Sequence, residues 1–252
     1  MVFFIDRCYT YGGVQFTKGA VMYGYILWDI DGTVLNFLEA EKAAIRKCFE
    51  IHGLGTCTDE MLSEYSQINM RYWEMLERGE MSKHDILVGR FREFFKAHGL
   101  PADAAEPFND DYQIRLGDTV VFNDNAPDIL RRLKGCAVQC AVTNGTKIAQ
   151  ERKLERSGLN KIFDYVFISE DLGFEKPDKR YFDAVFEALG APDPKEMIII
   201  GDSLTSDIKG GINAGIDTCW YNPDRKKADS GAVYEISDLS ELTAPGGILY
   251  YA

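Results

Sequence analysis

Histidine is scarce in this chain, its cysteines never pair at close spacing, and its apolar runs are short. Three histidines (His52, His84, His98) stand among 252 residues, and the six cysteines (Cys8, Cys48, Cys57, Cys136, Cys140, Cys219) form no CxxC pair. The usual zinc-binding spacings are therefore missing, and the expectation is of reduced thiols, several buried, in a cytoplasmic protein. No Lys/Arg-rich block offsets the formal net charge of −12. That argues against a nucleic-acid polymer or an anionic membrane as partner. A small anionic substrate stays open, because a bound cation and one or two basic side chains reverse the sign locally. Val2-Phe3-Phe4-Ile5 is cut off by Asp6 and Arg7, far short of a secretory signal or a membrane span.

What is present is ordinary for a globular protein: 46% hydrophobic and 27% charged residues, unlike a disordered chain. The length suits one large domain, or a core domain carrying a smaller insertion. Met22 stands just before a strong strand signal. Residues 1–21 are accordingly read as an upstream extension outside the fold; the alternative is an extra edge strand at residues 2–5.

Tyr25-Ile26-Leu27-Trp28 is a continuous apolar run ending in Asp29, as expected of a strand buried on both faces. Four similar runs follow at 137–142, 165–168, 197–200 and 218–221. Helical patterns lie between them at 126–134 (possible cap Asn125, early Pro127), 178–189 and 204–214, the last ending at Gly215. Strands alternating with helices predict an α/β fold, a doubly wound parallel sheet with helices on both faces. Between residues 36 and 118 the rhythm changes to helix alone. Apolar spacing predicts one helix through Leu38, Ile45 and Phe49, and a second through Leu62, Tyr65, Ile68, Tyr72 and Leu76. A third starts at Ser82 with Asp85 completing a possible capping box, and a weaker one follows Pro101. The predicted organisation is a core at 22–35 and 119–252, with an all-helical cap inserted at 36–118.

Chemistry collects at the strand ends. Asp29-Ile30-Asp31-Gly32-Thr33 closes the first run; the two-residue spacing sends both carboxylates to one side, and Gly32 permits the tight turn. One could attack phosphorus while the other handles the leaving-group proton, though two acids capping a turn is the plain alternative. The second run ends in Thr143-Asn144-Gly145, whose hydroxyl, amide and backbone N–H groups suit phosphoryl oxygens. Gly173-Phe174-Glu175-Lys176-Pro177-Asp178 follows the third run and brings a lysine. Gly201-Asp202-Ser203 ends the fourth, with Asp207 beyond it, offering hard oxygen ligands suited to Mg²⁺. In a parallel sheet all four sets fall at the carboxyl edge, where ligands bind. Ser203 lacks the final glycine of a nucleophile elbow, and Gly210-Gly211-Ile212-Asn213-Ala214-Gly215 is neither GxGxxG nor a P-loop; it reads as close helix packing and a turn.

This ordered set resembles the haloacid dehalogenase (HAD) superfamily over residues 24–222. Residues 151–158 (ERKLERSG), 163–173 (FDYVFISEDLG) and 201–220 (GDSLTSDIKGGINAGIDTCW) are similar to the bacterial house-cleaning pyrimidine 5′-nucleotidases. The resemblance implies a Rossmann-like core and a Mg²⁺-dependent phosphatase. It makes Asp29 the nucleophile that becomes an aspartyl phosphate, and Asp31 the proton donor and later the base. Mg²⁺ would be held by Asp29, the backbone carbonyl of Asp31 and Asp202, with Asp207 supporting; Thr143, Asn144 and Lys176 would bind the phosphoryl group. The expected partner is a small phosphorylated metabolite, a pyrimidine or non-standard nucleoside monophosphate first. Alternatives are a sugar phosphate or phosphoglycolate-like substrate, or a catalytically inactive regulatory module. A dehalogenase is disfavoured by Asp31. In the cap, Trp73 and Phe91 are candidates to stack a base, with Arg90 or Asn69 on its edge or the ribose; helix aromatics are also commonly core.

Overall fold

Among the described residues, five of the six strands in the computed structural model are the five apolar runs. The structure describes residues 23–250, so the reading of residues 1–21 falls outside the described residues. The strands are β1 (Tyr25–Trp28), β2 (Val138–Thr143), β3 (Tyr165–Ile168), β4 (Met197–Gly201), β5 (Asp217–Tyr221) and β6 (Tyr234–Ile236). They form one sheet in the order β3-β2-β1-β4-β5-β6, and every neighbouring pair is parallel. β6 carries no apolar run: it is a three-residue edge strand with Glu235 exposed at its centre. β1 lies between β2 and β4, where the direction of winding reverses. The crevice beyond the carboxyl ends of β1 and β4 is thus the place where such a sheet accepts ligands.

Helices cover both faces. Ile26, Trp28, Ile198 and Ile200 pack with Leu130 and Leu133 of α5 (Ala126–Leu133) and Leu154 of α6 (Lys147–Ser157). Leu27, Val142 and Ile199 face the other way, against Phe182 and Val185 of α8 (Lys179–Ala188), which follows a single turn, α7 (Ser169–Leu172). Alternate residues of each strand serve opposite cores, so β1 is apolar throughout and its first polar group appears at its end. The helix expected over 204–214 divides: a π turn spans Leu204–Ile208 before α9 (Lys209–Ala214). Such turns occur mostly as local insertions near functional sites. Gly210 and Gly211 meet Phe182, Thr218 and Ile199 closely, the packing role expected of them.

Between β1 and β2 run α1 (Phe37–His52), α2 (Asp59–Glu77), α3 (Lys83–Ala97) and α4 (Ala105–Asp118). Their starts are set by side-chain caps: Asn36, Thr58 and Ser82 each accept a backbone N–H three residues on, and Ser82 also donates to Asp85. Asn125, expected to cap α5, makes no such bond. The four helices close on their own aromatic core, in which Phe91 stacks on Tyr65 at 4.9 Å and 16°.

That core takes in three of the four cap candidates. Phe91 is fully buried, so neither ring face is open to a base. Arg90 is 1% exposed and points inward. Its guanidinium donates to Asn69 Oδ1 at 2.6 Å and Asn109 Oδ1 at 3.3 Å and lies 5.1 Å from the Phe91 and Tyr112 rings. Asn69, also buried, spends its amide on Glu41 at 2.8 Å. Gln113 continues the chain from Asn109 to Thr146, the residue that opens α6. A buried guanidinium must be fully hydrogen-bonded, and here the acceptors come from the neighbouring helices, so Arg90 ties the helices together. Leu38, on the apolar spacing of the first of these helices, is 53% exposed.

Removing the guanidinium leaves the buried Asn69 Oδ1 without its donor. Arg90→Met is expected to lower the unfolding free energy by about 1–3 kcal/mol, read by denaturant titration. A variant as stable as the parent, with altered substrate preference instead, would contradict this assignment.

Candidate active site

Asp29 leaves the sheet at the end of β1 with its backbone N–H on Ile200 O at 3.0 Å, which locks its position against β4. Gly32 sits at φ +101°, and a Cβ there would lie 2.5 Å from Asp202 Oδ2. The turn and the approach of the fourth motif therefore both require glycine. Asn123 donates to the carbonyls of Gly32 and Thr33 at 2.9 and 3.0 Å, holding the turn from outside. Thr33 Oγ1 donates to Asp202 Oδ1 at 3.1 Å, and the Trp220 indole N–H fixes Asp202 O at 3.0 Å.

Lys176 enters from the loop before α8 and is 1% exposed. Its ammonium donates to Asp29 Oδ1 at 2.8 Å, Asp207 Oδ1 at 2.7 Å and Val142 O at 2.8 Å. Three donors meet three acceptors. Burial works against the ammonium, but Asp207 and Asp29 outweigh it and hold its pKa above the ordinary lysine value. Asp207 Oδ2 accepts from Ser203 N–H at 3.1 Å, and Asp29 Oδ2 is buried with no hydrogen-bond partner. Asp29, Asp202 and Asp207 bring carboxylate oxygens within 4.8 Å of one another.

One ammonium does not balance three carboxylates. Burial, and then Asp207, push the Asp29 pKa well above the carboxylate range despite Lys176. Burial and Asp207 likewise push Asp202 up to about 7. An all-oxygen donor set, crowded, dehydrated and with one oxygen orphaned, fits a hard divalent cation such as Mg²⁺. The structure brings these residues together as the sequence suggested.

Asn144 differs in one respect. Its side-chain amide pairs with the backbone of Lys176, accepting from N–H and donating to C=O at 2.8 Å each. The amide clamps two loops, so what Asn144 can still offer a ligand is its backbone N–H. Thr143 Oγ1 accepts from Gly145 N–H at 3.0 Å and keeps its own hydroxyl proton to donate. Asp31 turns away from the carboxylate cluster: Gln150 and Lys153 of α6 take its two oxygens.

Two residues from the helical insertion reach the core. Glu77, at the end of α2, accepts from Thr205 Oγ1, and its pKa is pushed up to about 7 by burial, opposed by Thr205 and reinforced by Asp207. Lys83, at the start of α3, donates to Ser169 Oγ at 2.7 Å and Gly145 O at 3.4 Å. Burial lowers its pKa, partly offset by Glu170. Trp73 is half-buried, one turn before Glu77 on the same side of α2.

Residues 23–215 match the family described as haloacid dehalogenase-like hydrolase. The HAD-hydrolase YfnB of Bacillus subtilis is 39% identical over 87% of this chain and 94% of its own. Its crystal structure, bound to magnesium, aligns with TM-score 0.83 over 91% of this chain and 99% of that one. The pyrimidine 5′-nucleotidases PynA of Streptococcus pneumoniae and YjjG of Escherichia coli are 32% and 30% identical, covering 88% and 86% of this chain and 94% and 95% of theirs.

The crowding of the carboxylates has a consequence for stability. Folding raises Asp202 from the ordinary 3.8 to about 7, so the folded chain keeps a proton that the unfolded chain has lost. That contribution is full below the unfolded value and is lost as pH rises through about 7. Asp202→Asn removes the group. In chelator, the melting temperature of this variant should rise relative to the parent between about pH 5 and about pH 8. Melting curves of the two proteins that stay parallel across that range would contradict the electrostatic picture.

Proposed function

The chain belongs to the haloacid dehalogenase-like hydrolase family, and from that premise we propose that it is a Mg²⁺-dependent phosphomonoesterase working through an aspartyl phosphate at Asp29. The observation that carries the proposal is the Asp29 carboxylate itself. Its Oδ1 is anchored on the Lys176 ammonium, while Oδ2 is buried and unbonded. An anchored carboxylate with one bare oxygen is a positioned nucleophile.

Asp29 Oδ2 attacks phosphorus, and the bond to the leaving oxygen breaks as Asp31 gives that oxygen its proton. Water then attacks the aspartyl phosphate; Asp31 takes a proton from it, the bond to Asp29 breaks, and phosphate leaves with the Asp29 carboxylate restored. Lys176 and the Asn144 backbone N–H offset charge on the phosphoryl oxygens, and Thr143 donates from its hydroxyl. Mg²⁺, held by Asp29, the Asp31 carbonyl and Asp202 with Asp207 in support, would neutralise charge shared by the nucleophile and the phosphoryl group.

For substrate we favour pyrimidine nucleoside monophosphates, in a cytoplasmic enzyme. PynA and YjjG carry that activity in their names, and YfnB was crystallised with magnesium. The core motifs engage only phosphate, so discrimination falls to the insertion. With Phe91 and Arg90 inside the helical core, the half-buried Trp73, one turn before Glu77, is the candidate we retain for stacking on a base. Stacking of this kind is worth roughly 1–3 kcal/mol, a preference of about tenfold to a hundredfold.

The test is a comparison of kcat/KM for UMP, dUMP and dTMP against simple sugar phosphates and phosphoglycolate, with Mg²⁺ and with EDTA. Nucleotides should lead, Trp73→Ala should narrow their lead, and chelator should silence all substrates. Asp29→Asn should melt as a folded protein and release no phosphate. A sugar phosphate in first place would replace the substrate assignment, and activity in Asp29→Asn would end the covalent mechanism.

A further inference from the structure

The mechanism above leaves two buried polar side chains of α6 without a task. Four residues of this helix are buried: Ala149, Gln150, Lys153 and Leu154. Two are apolar. The other two both donate to Asp31, Gln150 Nε2 to Oδ2 at 2.6 Å and Lys153 Nζ to Oδ1 at 2.5 Å. Gln150 is fully buried and Lys153 is 1% exposed. Gly145 lies against the Gln150 amide so closely that a side chain there would collide with it. The Lys153 ammonium also sits 5.5 Å from the Phe37 ring, and Asp31 is its one ion-pair partner among the described residues.

A pair such as this is a poor way to hold a helix onto a sheet. Dehydrating an ammonium costs several kcal/mol, and an apolar side chain of similar volume commonly does the packing better. What the pair provides is direction: one donor for each oxygen of a single carboxylate fixes both torsions of a short side chain. We propose that Lys153 and Gln150 are positioning residues for Asp31, a two-point dock on α6 that fixes the carboxylate through which protons pass. The dock rests on the reading of Asp31 as the proton-transfer group. It also places that group under the influence of the helix that α4 and Gln113 join to the insertion through Thr146.

The test uses the leaving group. A nucleoside 5′-oxygen needs a proton as it departs, whereas p-nitrophenolate leaves without one, and kcat/KM reports only the steps through its departure. Lys153→Met should lower kcat/KM for UMP by about 10²-fold, within the usual range for lost general acid catalysis. It should leave p-nitrophenyl phosphate nearly unchanged. Lys153→Arg, which keeps a charged donor, should recover most of the loss. Gln150→Met should show the same selective loss more weakly, and it keeps the question answerable should Lys153→Met fail to fold. Asp31→Asn is run alongside as the reference. If Asp31→Asn is selective but the α6 variants depress both substrates equally, or if arginine is no better than methionine, the dock is overturned. If Asp31→Asn itself depresses both substrates equally, the role of Asp31 falls and the dock falls with it.

Discussion

The site depends on one ammonium in the wrong place for an ordinary lysine. Lys176 is dehydrated between Asp29, Asp207 and Val142 O, at contact distances where opposite charges interact by several kcal/mol even at an effective dielectric constant of about 20. That attraction sets the side chain of Asp29, and through Asp207 it ties the loop after β4 to the loop before α8. It is also insufficient. Three carboxylates around one cation leave an excess of negative charge, and burial first, then Asp207, raise the pKa values of Asp29 and Asp202 above the ordinary carboxylate value. A second cation would relieve the excess, and the oxygen-only donor set suits a hard one. The nucleophile and the metal we propose are therefore two readings of the same imbalance.

Three buried cations divide the described residues between them. Lys176 organises the carboxyl edge of the sheet, Arg90 the interior of the helical insertion, and Lys153 the junction where α6 meets Asp31. Each faces acceptors supplied by a different part of the chain, so each fixes tertiary geometry that apolar packing alone leaves loose. The chain from Arg90 through Asn109 and Gln113 to Thr146 ends beside Asn144, whose amide is clamped to Lys176. The hydrogen-bond chain of the insertion thus ends two residues from the clamp at the carboxyl edge of the sheet. Glu77 and Lys83 add contacts across the crevice, and they arise from the two helix ends flanking the α2–α3 turn.

Local chemistry was legible in the sequence where a residue's role depends on its own neighbours. Apolar runs showed five strands, and the acids following the first and fourth placed Asp29 and Asp202 on one edge; helical apolar spacing and the cap at Ser82 showed the helices of the insertion. β6 was not legible, because three residues with alternating exposure carry no periodic signal. Gln150 and Lys153 lie in a run of polar residues that reads as a solvated helix face; only the approach of Asp31, more than a hundred residues earlier, makes them interior. Arg90 and Phe91 failed for the converse reason. An arginine beside an aromatic looks like a ligand-binding pair, but four helices had enough buried acceptors to take the guanidinium inside.

The account stands on Asp29 as the atom that accepts the phosphoryl group. Acid quench of the enzyme during turnover of UMP with Mg²⁺, followed by peptide mapping by mass spectrometry, locates any covalent adduct directly. A phosphoryl group on the peptide carrying Asp29, and on that residue within it, is the result predicted. An adduct on Asp31 or Ser203, or turnover with no adduct under conditions that trap the acyl phosphate of a reference enzyme, would contradict it.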